Sequence, residues 1–168
     1  MTRLWLLDTN VVVDWCLWEL AEDTRRPGIA KHAATRLRCM KTKPAVESFE
    51  SHLSKSRGVA LAQPTLLEIG ARLQDLLRHP HRGTEDRLNE PILECGLRFL
   101  ERFNVELLGV RKAELDSKAI RDHDLGDAVV VSVLKKRCLM TADKDLWLWC
   151  RNKRLTACYF ADGELSET

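Results

Sequence analysis

"LWLLDTNVVVDW", residues 4–15, is the stretch whose reading decides the fold. Leu4 to Leu7 is an apolar run of strand length, and Val13, Leu17 and Leu20 are spaced for one buried face of a helix from Asn10 to Leu20. Between the two lies Asp8, followed by Thr9 and Asn10. A carboxylate thus stands where a buried strand ends and a helix begins.

The pattern recurs along the chain. Val59 to Ala62, Val105 to Val110, Cys138 to Thr141 and Ala157 to Phe160 read as further short strands. Helical spacing fills the intervals, over Pro64 to Leu77, Glu85 to Arg102, about Arg111 to Ile120, Gly126 to Lys136, and from near Lys144. Strands alternating with helices predict an α/β fold in one domain. One or two helices are expected in the segment 24–57, with Lys43-Pro44 as a boundary. The domain is expected over residues 1–162, with 163–168 as a flexible tail.

The bulk numbers agree with a single domain. The chain has 168 residues, 45% hydrophobic and 31% charged, enough to bury a core and far from a disordered composition. The absence of a long apolar run and of a signal-peptide pattern predicts a cytoplasmic protein that does not enter membranes. Six scattered cysteines, with no C-x-x-C pair, read as small buried hydrophobes. The five histidines show no metal-ligand spacing. Tryptophans 15, 18, 147 and 149 read as packing residues. The net charge is only +2, but Arg25, Arg26, Arg36, Arg38, Lys41 and Lys43 make segment 24–57 a basic helical insertion. Such a segment is either a solvated face or a phosphate-binding surface.

Acids recur past strand ends. Glu68 in "PTLLEIG" follows the second strand, Asp143 in "LMTADKDL" follows the fourth, and Asp127 in "DHDLGDAVVVSV" opens an apolar helix. Each has an ordinary account as well. Asp8 suits a helix N-cap, Glu68 an early helical position, Asp124 and Asp127 a capping pair, and Asp145 a first helical turn. In open α/β sheets, however, ligands bind outside the carboxyl ends of the strands. Two carboxylates about 4 Å apart repel by roughly 4 kcal/mol at an effective dielectric near 20, so a cluster calls for a cation. Mg²⁺ or Mn²⁺ would supply that charge and could activate water for attack on a phosphodiester.

Together "LLDTN", "PTLLEIG", "LGDAVVVSV" and "LMTADKDL", in this order, resemble the PIN-domain ribonucleases, most nearly the VapC-type toxins of bacterial toxin–antitoxin modules. The resemblance runs from about Leu4 to Phe160. It implies a three-layer α/β/α fold around a parallel sheet of four or five short strands. Asp8, Glu68, Asp127 and Asp143 match the acidic metal-binding quartet, and Thr9, Asn10 and Thr141 match polar positions that orient acids or water. Asp124 and Asp145 are supporting candidates beside Asp127 and Asp143. The resemblance further implies Mg²⁺ or Mn²⁺ dependence, cleavage of RNA to 5′-phosphate and 3′-hydroxyl ends, a homodimer and an antitoxin partner. A second reading keeps the fold as a non-catalytic nucleic-acid or protein-binding module, the acids serving as caps. A third, a phosphatase or phosphoacceptor domain with Asp8 as nucleophile, would want a second acid two positions on, where this chain has Asn10.

Overall fold

A computed structural model of the chain describes residues 3–78, 85–110, 125–134 and 136–167. Six strands form one sheet: β1 (Leu4–Leu7), β2 (Gly58–Ala62), β3 (Glu106–Leu108), β4 (Cys138–Thr141), β5 (Ala157–Ala161) and β6 (Glu164–Glu167). Among the described residues the helices are α1 (Thr9–Ala21), α2 (Pro27–Ala34), α3 (Lys43–Ser54), α4 (Gln63–Leu77), α5 (Glu85–Arg102), α6 (Leu125–Ser132) and α7 (Lys144–Asn152). The strand order is β3-β2-β1-β4-β5-β6. All neighbours pair parallel except β5 and β6, which are antiparallel.

Alternation along the strands sends side chains to two cores. Trp5, Leu7, Val59, Leu61, Met140 and Phe160 join the larger one, which the helices α1, α3, α4 and α5 cover. Leu6, Ala60, Ala62, Leu139 and Ala157 point the other way, under Val129 and Val130 of α6 and Leu146 and Cys150 of α7. Helices on both faces of a mostly parallel sheet are compatible with a three-layer α/β/α arrangement, as the alternation of elements predicted.

The helix after Asp8 is more deeply set than its spacing implied. Besides Val13, Leu17 and Leu20, α1 buries Val11, Val12, Asp14, Trp15 and Cys16, because α2, α4 and α5 pack around it as well as the sheet. Trp15 is fully buried against Phe99 and Phe103, with ring centroids 5.1 and 5.9 Å away. The packing role expected of this tryptophan holds. So does the reading of the cysteines, all six of which are buried free thiols.

Segment 24–57 carries two helices, and α3 opens at the expected boundary with Pro44 in its first turn. Thr42 caps it by accepting from the Ala45 N–H at 3.4 Å. β3 is shorter than expected, and α6 ends at Ser132, four residues early, with Val133 and Leu134 buried in the turn that leads to β4. The helix expected about Arg111 to Ile120 lies outside the described residues, as do Asp122 and Asp124.

The expectation of a flexible tail is corrected. Glu164–Glu167 is an edge strand, joined to β5 by Asp162 and Gly163 with φ of 49° and 88°. Positive φ at both central residues is what a two-residue hairpin turn requires, and Asp-Gly is a favoured pair for it. Arg3 Nη2 holds the end of this strand through Glu167 Oε1 at 2.6 Å.

Candidate active site

The connections of the sheet diverge at its middle. From β1 the chain passes to β2 and β3 on one side, and from β4 to β5 and β6 on the other. The carboxyl ends of β1 and β4 therefore flank a topological switch point, where α/β sheets open a crevice. Asp8 follows β1 there, and its N–H extends the ladder to the Met140 carbonyl at 3.0 Å.

The Asp8 side chain is 4% exposed. Thr141 Oγ1, from the end of β4, donates to Asp8 Oδ2 at 2.7 Å, and Asn10 Nδ2 donates to the same oxygen at 3.1 Å. Although Asp8 stands at the N-cap of α1, its side chain makes no capping hydrogen bond. Capping therefore does not account for this carboxylate. Burial pushes its pKa up, the bonds from Thr141 and Asn10 oppose that, and the charge of Glu68 raises it further.

Glu68 lies beyond the first turn of α4, so a role at the helix terminus does not explain it either. Thr9 Oγ1 donates to Glu68 Oε2 at 2.8 Å. Arg72, one turn on, pairs with Glu68 Oε1 at 3.5 Å and donates to Asn10 Oδ1. Thr9 and Asn10, the neighbours of Asp8 in sequence, thus both reach side chains of α4.

Asp143 has a plainer role. It is the N-cap of α7, its Oδ1 accepting from the Asp145 and Leu146 N–H groups at 2.8 and 3.0 Å. Its own N–H donates to Thr141 Oγ1 at 2.9 Å, so the Thr141 hydroxyl joins the Asp8 carboxylate to the Asp143 backbone. Asp145 is an exposed first-turn acid. Asp127, half-buried, lies in the first turn of α6. Burial pushes the Cys150 thiol up to about 12, with Asp127 and Asp8 both adding to the shift, which places these two carboxylates in electrostatic reach of one sulfur.

Asp8 is thus tied to Asp143 through Thr141, and it feels Glu68 and shares a neighbour with Asp127. The donors are carboxylate, hydroxyl and amide oxygens, hard ligands that suit Mg²⁺ or Mn²⁺. Among the described residues, however, no three acidic, histidine or cysteine side chains stand close enough together to hold a metal ion. The donor chemistry fits a divalent ion, while the side-chain spacing supplies no complete ligand set.

The basic residues of segment 24–57 separate into two groups. Arg25 and Arg26 are engaged by Asp23, at 3.0 and 2.8 Å, and by Glu94 of α5, at 3.5 and 3.1 Å. The hydrogen bonds from Arg25 and Arg26 hold the Asp23 carboxyl well below the usual range. Lys43 faces Glu47 at 3.8 Å, and Lys41 is exposed. Arg36 and Arg38, by contrast, form no ion pair among the described residues and line a cleft with Asn10 and Arg72.

Two residues near the site escaped the sequence reading. Arg72 was signalled by its spacing of four from Glu68. Asp14 was signalled by being a lone acid in an apolar helix, which is costly unless partnered. Its buried carboxylate accepts the N–H groups of Arg38, Cys39 and Met40 at 2.9, 2.7 and 2.6 Å, docking the loop that carries Arg36 and Arg38 beside α1.

Compared with known proteins, the chain matches no family model, no curated protein and no solved structure. Functional assignment therefore rests on the residues themselves. No described helix is long and apolar enough to cross a membrane.

Proposed function

We propose that the protein is a metal-dependent endoribonuclease with a PIN-like fold, cutting RNA to 5′-phosphate and 3′-hydroxyl ends. The observation that carries the reading is Asp8: a buried carboxylate at the switch point, not used as a cap, and oriented by Thr141 and Asn10. A charged group in that position is costly without a function or a counter-charge. The four motifs that resemble the VapC-type toxins support a toxin role in the cytoplasm, a homodimer and an antitoxin partner.

In this reading Asp8, Glu68, Asp127 and Asp143 would hold Mg²⁺ or Mn²⁺, which when bound would neutralise the acids and activate water for in-line attack. Thr141 and Asn10 fix the Asp8 oxygens, and Thr9 fixes Glu68. Glu68 must exchange the Thr9 and Arg72 contacts, and Asp143 its cap bonds, to turn oxygens toward Asp8. That requirement is specific and can fail.

The test is cleavage of RNA followed on denaturing gels with Mn²⁺, with Mg²⁺ and with EDTA. Cleavage should need the metal and be lost in Asp8→Asn. Full activity of that variant would falsify the assignment. Mn²⁺ should also raise the melting temperature of the wild type and not of Asp8→Asn.

The use of Asp143 as the α7 cap favours a second reading, a binding module that retains the fold without catalysis. It predicts RNA or protein binding with no metal-dependent cleavage and no thermal shift with Mn²⁺.

A further inference from the structure

Two clefts meet at the acidic site. One, of about 270 Å³, is lined by Asp143, Tyr159 and Asp162 together with Asn10, Arg38 and Arg72. The other, of about 230 Å³, is lined by Arg36, Asp75 and Asp14 together with the same Asn10, Arg38 and Arg72. The shared residues form the wall between them. One cleft is acidic at its far side and the other basic.

The charges of the second cleft are poorly balanced from within. Arg36 and Arg38 are exposed and make no ion pair with any described residue. Asp14 is 3% exposed, and both of its oxygens are spent on backbone N–H groups. Arg72 is shared with Glu68 at 3.5 Å, and Asp75 stands on the exposed rim as the opposing acid. Guanidinium groups that converge without carboxylate partners suit phosphate oxygens, which accept from their planar donors.

We propose that this cleft binds a backbone phosphate of a single-stranded RNA whose neighbouring phosphodiester lies over Asp8. Arg36 and Arg38 hold the phosphate, and Arg72 forms the wall between it and the acids. The choice of RNA rests on the ribonuclease reading, whereas the phosphate chemistry rests on the arginines. Arg25 and Arg26, already neutralised by Asp23 and Glu94, take no part.

The experiment measures binding of a fluorescent single-stranded RNA in EDTA, where cleavage is off, across a salt series. The variant is Arg36→Gln/Arg38→Gln. The Arg38 backbone N–H to Asp14 survives this change, so folding is preserved. The charge-matched control is Lys55→Gln/Arg57→Gln, which lies at the amino end of β2, opposite the strand carboxyl ends. Each lost phosphate contact lowers the salt slope for a single strand by about 0.7. The wild type should therefore lose about sevenfold more affinity than the cleft variant between about 50 and 200 mM salt. The control pair should behave as wild type.

Equal effects of the two pairs would overturn the cleft in favour of diffuse charge. Tight binding of inorganic phosphate by calorimetry, with no RNA binding, would assign the cleft to a free anion and overturn the strand. Metal-dependent cleavage with no effect of Arg36→Gln/Arg38→Gln on binding sinks the cleft alone. Arginine-dependent binding with no cleavage in Mn²⁺ sinks the nuclease alone.

Discussion

Asp14 offers a direct test of how the basic loop is held beside the candidate active site. Its carboxylate accepts three N–H groups, two on Oδ2 from Cys39 and Met40 and one on Oδ1 from Arg38. Hydrogen bonds to a charged acceptor contribute about 1.5–3 kcal/mol each, so the low end gives about 4–5 kcal/mol for Asp14→Ala. At about 2–4 °C per kcal/mol for a domain of this size, melting should fall by roughly 8–20 °C. Asp14→Asn can keep an oxygen toward Cys39 and Met40 but turns an amide N–H₂ toward the Arg38 N–H. It should lose about 2 kcal/mol, between wild type and alanine. Urea unfolding followed by tryptophan fluorescence, with thermal melts by circular dichroism, reads both variants. A loss below about 1 kcal/mol for Asp14→Ala, or an asparagine variant as unstable as alanine, would refute the account of the loop as pinned by these bonds.

The remaining expectations concern Asp8 and the terminal hairpin. Burial raises the folded pKa of Asp8 above its ordinary 3.8, so between those two values the unfolded chain binds fewer protons than the fold. The Asp8 contribution is therefore most favourable below the unfolded value and declines as pH rises toward the folded one. In EDTA, urea midpoints of Asp8→Asn should exceed wild type at neutral pH and converge with it in acid; a less stable variant at neutral pH contradicts the burial cost. Gly163→Ala would put a Cβ 2.8 Å from the Ala45 Cα at a φ of 88°, which should cost about 1–3 kcal/mol, read as a lower melting temperature. An unchanged melt would show that the hairpin is not seated against α3.

Much of the architecture was legible because its signals are local. Short apolar runs ending in polar residues gave four of the strands nearly to the residue, and Pro44 and Pro64 marked the starts of α3 and α4. The Asp162-Gly163 turn was equally local, yet the strand it starts, Glu164–Glu167, is polar and exposed and carries no hydrophobic alternation to reveal it. Position past a strand end singled out Asp8, Glu68 and Asp143 in the same way, and the same signal could not tell a cap from a buried acid. Asp143 caps α7, whereas Asp8 caps nothing.

What the sequence alone determined is therefore the order of strands and helices and the placing of carboxylates at the junctions. Which groups meet was left to the tertiary structure. Thr141 reaches Asp8 because β4 lies beside β1, a pairing between residues 133 positions apart. Arg36 and Arg38 remain unpaired beside Arg72 while Arg25 and Arg26 are neutralised, because α2 and the loop after it fold against α1 and α5. Local pattern encodes secondary structure through periods of two and 3.6 residues, but the charge around a side chain depends on neighbours brought in from distant segments.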